Sequence, residues 1–297
     1  MKVLITGGTG FLGLMLARRL LLRGELTGRS GKPEPVDSLV LFDAVVPPRR
    51  PDGLDSRAEI LSGDISDAGL VASLVDRPDI SVFHLASMVS YGSELDFDGA
   101  MRVNLDGGRR VLEACRHRAE GCRLVFTSSI AAFGGDAMPE VVTDNTKLTP
   151  ETTYGTTKAI CELLVNDYAR KGFVDGRTAR LPTVVIRPGR PNAAASSWVS
   201  GIFREPLNGE ECVVPVELTT RVPLSGYRTV VENLIRLHEL DSEGLGNDRA
   251  LNLPGLDVTG EEMIVGLRNA ADRTLGPINV RPDPAIMRIY KSWATRS

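Results

Sequence analysis

The arrangement richest in chemistry is a tyrosine and a lysine in Tyr154-Gly155-Thr156-Thr157-Lys158. Positions i and i+4 share one face of a helix. An ammonium beside a phenol favours the phenolate and draws its pKa down from about 10. Such a tyrosine can act as general base near neutral pH. Upstream, Leu124-Val125-Phe126-Thr127-Ser128-Ser129 is an apolar run ending in hydroxyls. Open α/β sheets bind ligands at the carboxyl ends of their strands. There Ser129 can hydrogen-bond a substrate oxygen as its charge develops, with Ser128 as a supporting donor. Tyr-x-x-x-Lys is common by chance, and it gains weight from a second feature at the amino end.

That feature is Val3-Leu4-Ile5-Thr6-Gly7-Gly8-Thr9-Gly10-Phe11-Leu12-Gly13, a strand, a glycine turn and a helix start. Gly7, Gly10 and Gly13 are spaced as in a dinucleotide-binding turn. One glycine makes the turn, one lets backbone approach pyrophosphate, and one lets helix pack on sheet. The helix N-terminus offers unpaired N–H groups and its positive dipole end to the phosphates. No Gly-Lys-Ser/Thr follows, so this is not a P-loop. Asp43, ending Leu39-Val40-Leu41-Phe42-Asp43, can accept hydrogen bonds from the adenosine ribose hydroxyls and would repel a 2′-phosphate. The expected cofactor is NAD rather than NADP.

The elements that must hold these residues alternate. Strands are expected at 2–6, 38–42, 59–61, 81–86, 123–127 and 182–187, several of them continuously apolar, as strands buried on both faces are. Helices are expected at 11–23, 68–76, 99–118 and 153–171. Such repetition predicts an α/β fold, a Rossmann-type doubly wound parallel sheet with right-handed crossovers. Residues 25–37 and 47–53 read as loops, the first lengthening the path from Gly13 to Asp43. After Arg187 the chain turns rich in Pro, Gly, Ala and Ser. A helix at 229–240, a short strand at 250–253 and a helix near 260–271 follow. The expected division is a cofactor domain over 1–190 and a small loop-rich substrate lobe over 191–297, interleaved with the sheet at its C-terminal side.

Composition narrows the class. The chain has 297 residues, a net charge of −3 and 42% hydrophobic residues. That suits a globular protein and gives no electrostatic footprint for nucleic acid or an anionic membrane. Apolar runs such as Leu20–Leu22 fall short of a spanning helix, and the amino end lacks a signal-peptide layout. Cys115, Cys122, Cys161 and Cys212 form no Cys-x-x-Cys pair, and His84, His117 and His238 are scattered, so no metal site is expected. Unpaired thiols suit a cytoplasmic protein.

Together these residues resemble the extended short-chain dehydrogenase/reductases, the NAD-dependent epimerase/dehydratase family. The matching stretches are Thr6–Gly13, Asp43, Gly63-Asp64-Ile65, His84-Leu85-Ala86-Ser87, Val103-Asn104, Ser128-Ser129, Tyr154-x-x-x-Lys158 and Arg187-Pro188-Gly189. The resemblance implies that Gly7, Gly10, Phe11 and Leu12 line the pyrophosphate and that Asp64 and Ile65 border adenine. It implies that Leu85, Ala86 and Ser87 pass the cofactor, with Thr127 also in contact, and that Asn104 steadies a helix or a relay water. Ser129 aligns with the catalytic hydroxyl, Lys158 reaches the nicotinamide ribose, and Pro188 supports the nicotinamide. A homodimer through the helices near 99–118 and 153–171 is also implied.

Departures from the family pattern narrow the reaction. Ser129 is followed by Ile130-Ala131 rather than the acidic pair of sugar-nucleotide dehydratases. The sequence 223–232 lacks the motifs usual in nucleotide-sugar epimerases. The segment 186–207 looks like a subgroup of dehydrogenases of a four-carbon sugar acid, which implies NAD-linked oxidation at C2. Arg190 and Arg204 could pair with a carboxylate in fork fashion, and Asn192, Ser196, Ser197 and Ser87 could bond hydroxyls. For each arginine a salt bridge is an equal alternative, and Trp198 reads first as a core residue. Open alternatives are a uronate or other aldonate dehydrogenase, a sugar epimerase that regenerates its NAD, and a Rossmann-fold redox sensor. Sensors of that kind lack the Tyr/Lys pair. The resemblance also implies that the stretch 284–297 leads into one more helix.

Overall fold

Strands that are apolar along both edges need cover on both faces, and in the computed structural model they have it. The structure describes residues 1–191 and 194–291. The first half runs β1 (Lys2–Thr6), α1 (Phe11–Arg23), β2 (Glu25–Thr27), β3 (Pro33–Pro35), β4 (Ser38–Asp43), β5 (Ala58–Ser62), α2 (Ala68–Leu74) and β6 (Ile80–His84). Then come α3 (Ser90–Leu95), α4 (Phe97–Ala100), α5 (Gly107–Arg118), β7 (Arg123–Ser129), α6 (Thr153–Arg170), β8 (Asp175–Leu181) and β9 (Thr183–Val185). The remainder is α7 (Ser197–Leu207), β10 (Cys212–Val214), β11 (Arg221–Gly226), α8 (Tyr227–Glu239), β12 (Ala250–Asn252), β13 (Leu256–Thr259), α9 (Gly260–Ala270), β14 (Ile278–Val280) and α10 (Pro284–Lys291).

Seven parallel strands form the central sheet in the order β12-β8-β7-β6-β1-β4-β5. Side-chain alternation divides its core. Val3 and Ile5 of β1 pack with Leu16 and Leu20 of α1 and Val230 and Leu234 of α8 on one face. Leu4, Val40 and Val82 pack with Val71 of α2, Val111 of α5 and Val165 of α6 on the other. The chain runs β1, β4, β5 outward and then returns to β6 on the far side of β1. That reversal opens a crevice at the carboxyl ends of β1 and β6.

The expected strand at 182–187 is displaced. The strand beside β7 is β8, whereas Thr183–Val185 pairs with β11 in a separate three-stranded sheet with β13. The sequence of β8, Asp-Gly-Arg-Thr-Ala-Arg-Leu, does not look buried, yet Arg177 is 0% exposed and Arg180 is 3% exposed. Arg177 donates from Nη1 to the carbonyls of Leu237, His238 and Leu240 at 3.0, 2.7 and 2.9 Å. The guanidinium therefore satisfies the carboxyl end of α8 and complements its dipole. Asp175 pairs with Arg177 at 2.5 Å and Arg249 at 2.8 Å. A charged strand is buried because each charge has a partner.

Two loop expectations also change. Within 25–37 the chain forms the small β2–β3 hairpin. The segment after Arg187 contains α7, whose Trp198, Val199 and Ile202 join Met263, Ile264 and Tyr290 in the core of the lobe. α8 and β12, although late in the chain, belong with the central sheet. The helix expected at 99–118 begins with a wider π-type turn over Met101–Asp106 before α5.

Candidate active site

The glycine turn has no room for side chains. Gly7 has φ +68°, and a Cβ on it would lie 2.8 Å from the Ala86 nitrogen. A Cβ on Gly13 would lie 2.3 Å from the Gly7 carbonyl oxygen. β1, the turn and α1 are thereby pressed together, and Gly10 starts α1 without any side-chain cap. The first-turn N–H groups of α1 face the crevice, a cradle suited to a pyrophosphate. Beyond it a cavity of about 710 Å³ is lined by Asp43, Asp64, Ile65, Ala86, Arg102 and Val103 among others. Asp43 accepts from the Thr9 nitrogen at 3.1 Å, which fixes its carboxylate at the end of β4. Asp64 accepts from the nitrogen and hydroxyl of Ser66 at 2.9 and 2.7 Å. These bonds hold the Asp64 carboxyl below its ordinary pKa.

A second cavity of about 380 Å³ shares Gly7, Gly10, Leu85 and Ser87 with the first, so the two form one groove. Phe11, Leu12, Gly13, Thr127, Ser129, Tyr154, Lys158, Ser196, Ser197 and Arg204 are on its wall. This groove fits NAD by its uncapped helix start, its Cβ-free turn and an acid at the adenosine-ribose end. Tyr154 and Lys158 are brought there by α6, whose N-terminus is fixed twice. Thr152 Oγ1 accepts from Gly155 N at 3.0 Å, and Glu94 accepts from Thr153 N at 2.7 Å. Lys158 Nζ donates to the Thr127 carbonyl at 2.8 Å and lies 5.4 Å from the centre of the Tyr154 ring.

The protonation of the pair departs from expectation. Burial pushes the Tyr154 phenol up to about 12, against the opposing hydrogen bond of Ser129. Burial also brings Lys158 down to about 8, while Cys161 and Glu162 act to raise it. In the protein alone, desolvation of the phenolate outweighs the hydrogen bond from Ser129.

Several expected ligands sit elsewhere. Ser128 contributes to the wall, but its hydroxyl donates to Glu162 behind the site. Strand alternation turns neighbouring side chains to opposite faces, so Ser129 rather than Ser128 faces Tyr154. Asn104 lines neither cavity. Its Oδ1 accepts from Met88 N at 2.7 Å and Ser87 Oγ at 3.1 Å, tying the loop after β6 to the helix behind it. Pro188 and Arg190 are exposed and outside both linings. The arginine on the wall is Arg187, with Arg204 beside it. Arg204 Nη1 donates to the Arg187 carbonyl at 2.6 Å, and its Nη2 pairs with Glu205 at 2.5 Å. Among the described residues no carboxylate lies within ion-pair distance of Arg187. Burial, then the charge of Arg204, push its pKa down. Asn192 lies outside the described residues.

Arg187 stands in a sequence motif that gives it no task, and Ser90, Thr183 and Ser200, which line the cavity, stand in none. Ser90 Oγ accepts from Ala195 N at 3.1 Å, and Ser200 Oγ accepts from Arg187 N at 3.0 Å. Isolated serines carry no spacing signal. Among the described residues no cluster of side chains could hold a metal ion, and no helix is long and apolar enough to cross a membrane.

A family model described as NAD dependent epimerase/dehydratase family matches residues 3–249. A D-erythronate dehydrogenase of Cupriavidus necator is 51% identical over 99% of this chain and 89% of its own length. One from Haemophilus influenzae is 43% identical, covering 100% of this chain and 91% of its own. The crystal structure described as a nucleoside-diphosphate-sugar epimerase from Agrobacterium tumefaciens superposes with a TM-score of 0.88 at 41% identity, covering 100% of this chain and 86% of its own.

Proposed function

The chain belongs to the NAD-dependent epimerase/dehydratase family, and from that premise we propose that it oxidises the C2 hydroxyl of D-erythronate to 2-oxo-D-erythronate. It is an NAD-dependent oxidoreductase. The observation that carries the choice of substrate is the pair Arg187 and Arg204 on one cavity wall, where Glu205 pairs with Arg204 alone. Two guanidiniums against one carboxylate leave a site that favours an anion, and a substrate carboxylate supplies it. The relatives named for D-erythronate support the four-carbon acid.

Each group on the wall then has a task. Tyr154 takes the proton of the C2 hydroxyl, and Ser129 hydrogen-bonds the same oxygen. Lys158, held by the Thr127 carbonyl, sets the field in which the phenol loses its proton. Arg187 and Arg204 orient the acid so that C2 faces the nicotinamide end of the groove. NAD bound in the groove supplies the hydride acceptor. We assign residues 1–190 chiefly to cofactor binding and 191–297 mainly to the substrate lobe. We place the enzyme in the cytoplasm, which suits its four free buried cysteines. We also propose a homodimer through the helices near 99–118 and 153–171, where Leu163 of α6 is 66% exposed.

The test is NADH formation from D-erythronate and from other four- to six-carbon sugar acids, with NADP as control cofactor. D-Erythronate with NAD should give the highest kcat/KM. No NADH from any sugar acid would overturn the proposal.

A further inference from the structure

Behind the catalytic groups lies a buried ion pair that the reaction itself does not use. Glu162 of α6 is 1% exposed and Arg180 of β8 is 3% exposed. Arg180 grips both carboxylate oxygens, from Nε at 3.1 and 3.0 Å and from Nη2 at 2.8 Å. The remaining guanidinium nitrogen donates to the Asp144 carbonyl at 3.1 Å and to Asn252 Oδ1 at 3.4 Å. The Phe133 ring covers the guanidinium at 5.0 Å. Glu162 also accepts from the Ser128 hydroxyl. It stands one helical turn beyond Lys158, on the same face of α6.

We propose that Glu162, clamped by Arg180, is a positioning residue that keeps the Lys158 ammonium charged inside a dry site and fixes the face that Ser129 presents to Tyr154. Three features carry it. A carboxylate this deeply buried is costly unless it is paired and hydrogen-bonded, and Arg180 and Ser128 supply both. Its contact with Ser128 ties down the residue next to Ser129 at the end of β7. Its charge is the carboxylate that supports Lys158, whose other neighbours are His84 from β6, the Thr127 carbonyl and Phe126 ring from β7, and Tyr154 and Cys161 from α6. Burial holds His84 neutral and raises the Cys161 thiol to about 11; Cys161 and Glu162 both act to raise Lys158, and of the two only Glu162 is a carboxylate held by a buried guanidinium. The groups facing Glu162 are Ser128, Arg180, Cys161 and Lys158.

The inference rests on the dehydrogenase reading only for its kinetic arm. The primary measurement is the titration midpoint of Lys158 in the free protein, followed by NMR of isotope-labelled lysine, in wild type and in Glu162→Gln. Loss of the carboxylate should lower the midpoint by roughly one pH unit or more, since one unit charge at this range is worth that much in a low-dielectric site. The rise of kcat/KM with pH should move down by the same amount, and its plateau should fall about tenfold, because less of the enzyme holds phenolate and ammonium together. A merely structural role would lower the plateau without moving either midpoint. Glu162→Asp keeps the charge and should leave the midpoint within a few tenths of wild type. If Glu162→Gln does not fold, Glu162→Gln with Arg180→Gln removes both buried charges and should shift the midpoint in the same direction by less. A folded variant without the carboxylate and with an unmoved Lys158 midpoint overturns the proposal. Absence of sugar-acid turnover with a shifted midpoint would instead overturn the substrate reading alone.

Discussion

In the proposed reaction the phenol of Tyr154 works from a position that disfavours its charged form. In the free protein the phenol is pushed up to about 12 and the lysine brought down to about 8. The form with phenolate and ammonium carries as many protons as the form with phenol and amine. The reactive form therefore grows as the pair loses its first proton. kcat/KM should rise with pH towards about 8 and flatten above it, and a profile that falls between pH 6 and 8 would contradict this. Tyr154→Phe should lower turnover by about 10²–10⁴, the span usual for general acid–base work. Asp43→Ala should raise KM for NAD and narrow the preference over NADP, because a carboxylate held by Thr9 at the end of β4 would repel a 2′-phosphate. An unchanged KM removes Asp43 from the cofactor site. Residues of this kind were legible because spacing encodes them. Arg187 was harder to read, since its neighbour Arg190 has the same chemistry and only backbone direction places one on the wall and the other in solvent.

At the scale of elements, what the sequence hid was β8. Apolar runs announce β1, β4, β6 and β7, but β8 is buried through paired charges, and its arginines reach partners 61 residues on at α8 and 18 residues back on α6. Neither partner can be found from local pattern. α7 was obscured for a related reason, as its apolar face is completed by residues of α9 and α10. The role of Arg177 makes a stability prediction. Arg177→Met breaks the buried pair with Asp175 and takes a donor from the carbonyls of Leu237, His238 and Leu240, of which the last two keep Arg123 Nη1 at 2.6 and 3.5 Å. It should cost about 2–4 kcal/mol, in the range for orphaned buried polar groups and broken buried ion pairs. Urea unfolding checks this, and a loss within ±0.5 kcal/mol would show that the carbonyls find other donors.

For the molecule as a whole, two buried histidines set its response to acid. His84 bonds Thr6 Oγ1 through Nδ1 at 2.6 Å, and His238 bonds Ser81 Oγ through Nε2 at 2.9 Å. Burial lowers His84 to about 3 and lowers His238 well below its ordinary value. The unfolded chain takes up these protons near pH 6.5 and the folded one does not. Stability from these groups is thus present above about pH 6.5 and is lost as pH falls towards 3. Thermal unfolding should show Tm dropping across that window, with a shallower drop in His84→Gln. A Tm independent of pH there would refute it. The dimer is a claim at this scale too. Light scattering should give twice the chain mass, and Leu163→Glu should reduce it to one chain mass, whereas monomer in the unaltered protein ends the assignment. The central claim is tested most directly by NADH formation at saturating NAD with D-erythronate as the varied substrate, comparing the unaltered enzyme with Arg187→Met. The account predicts strong NADH formation in the first and a large rise in KM for the acid in the second. No NADH from D-erythronate, or an unchanged KM in Arg187→Met, would contradict it.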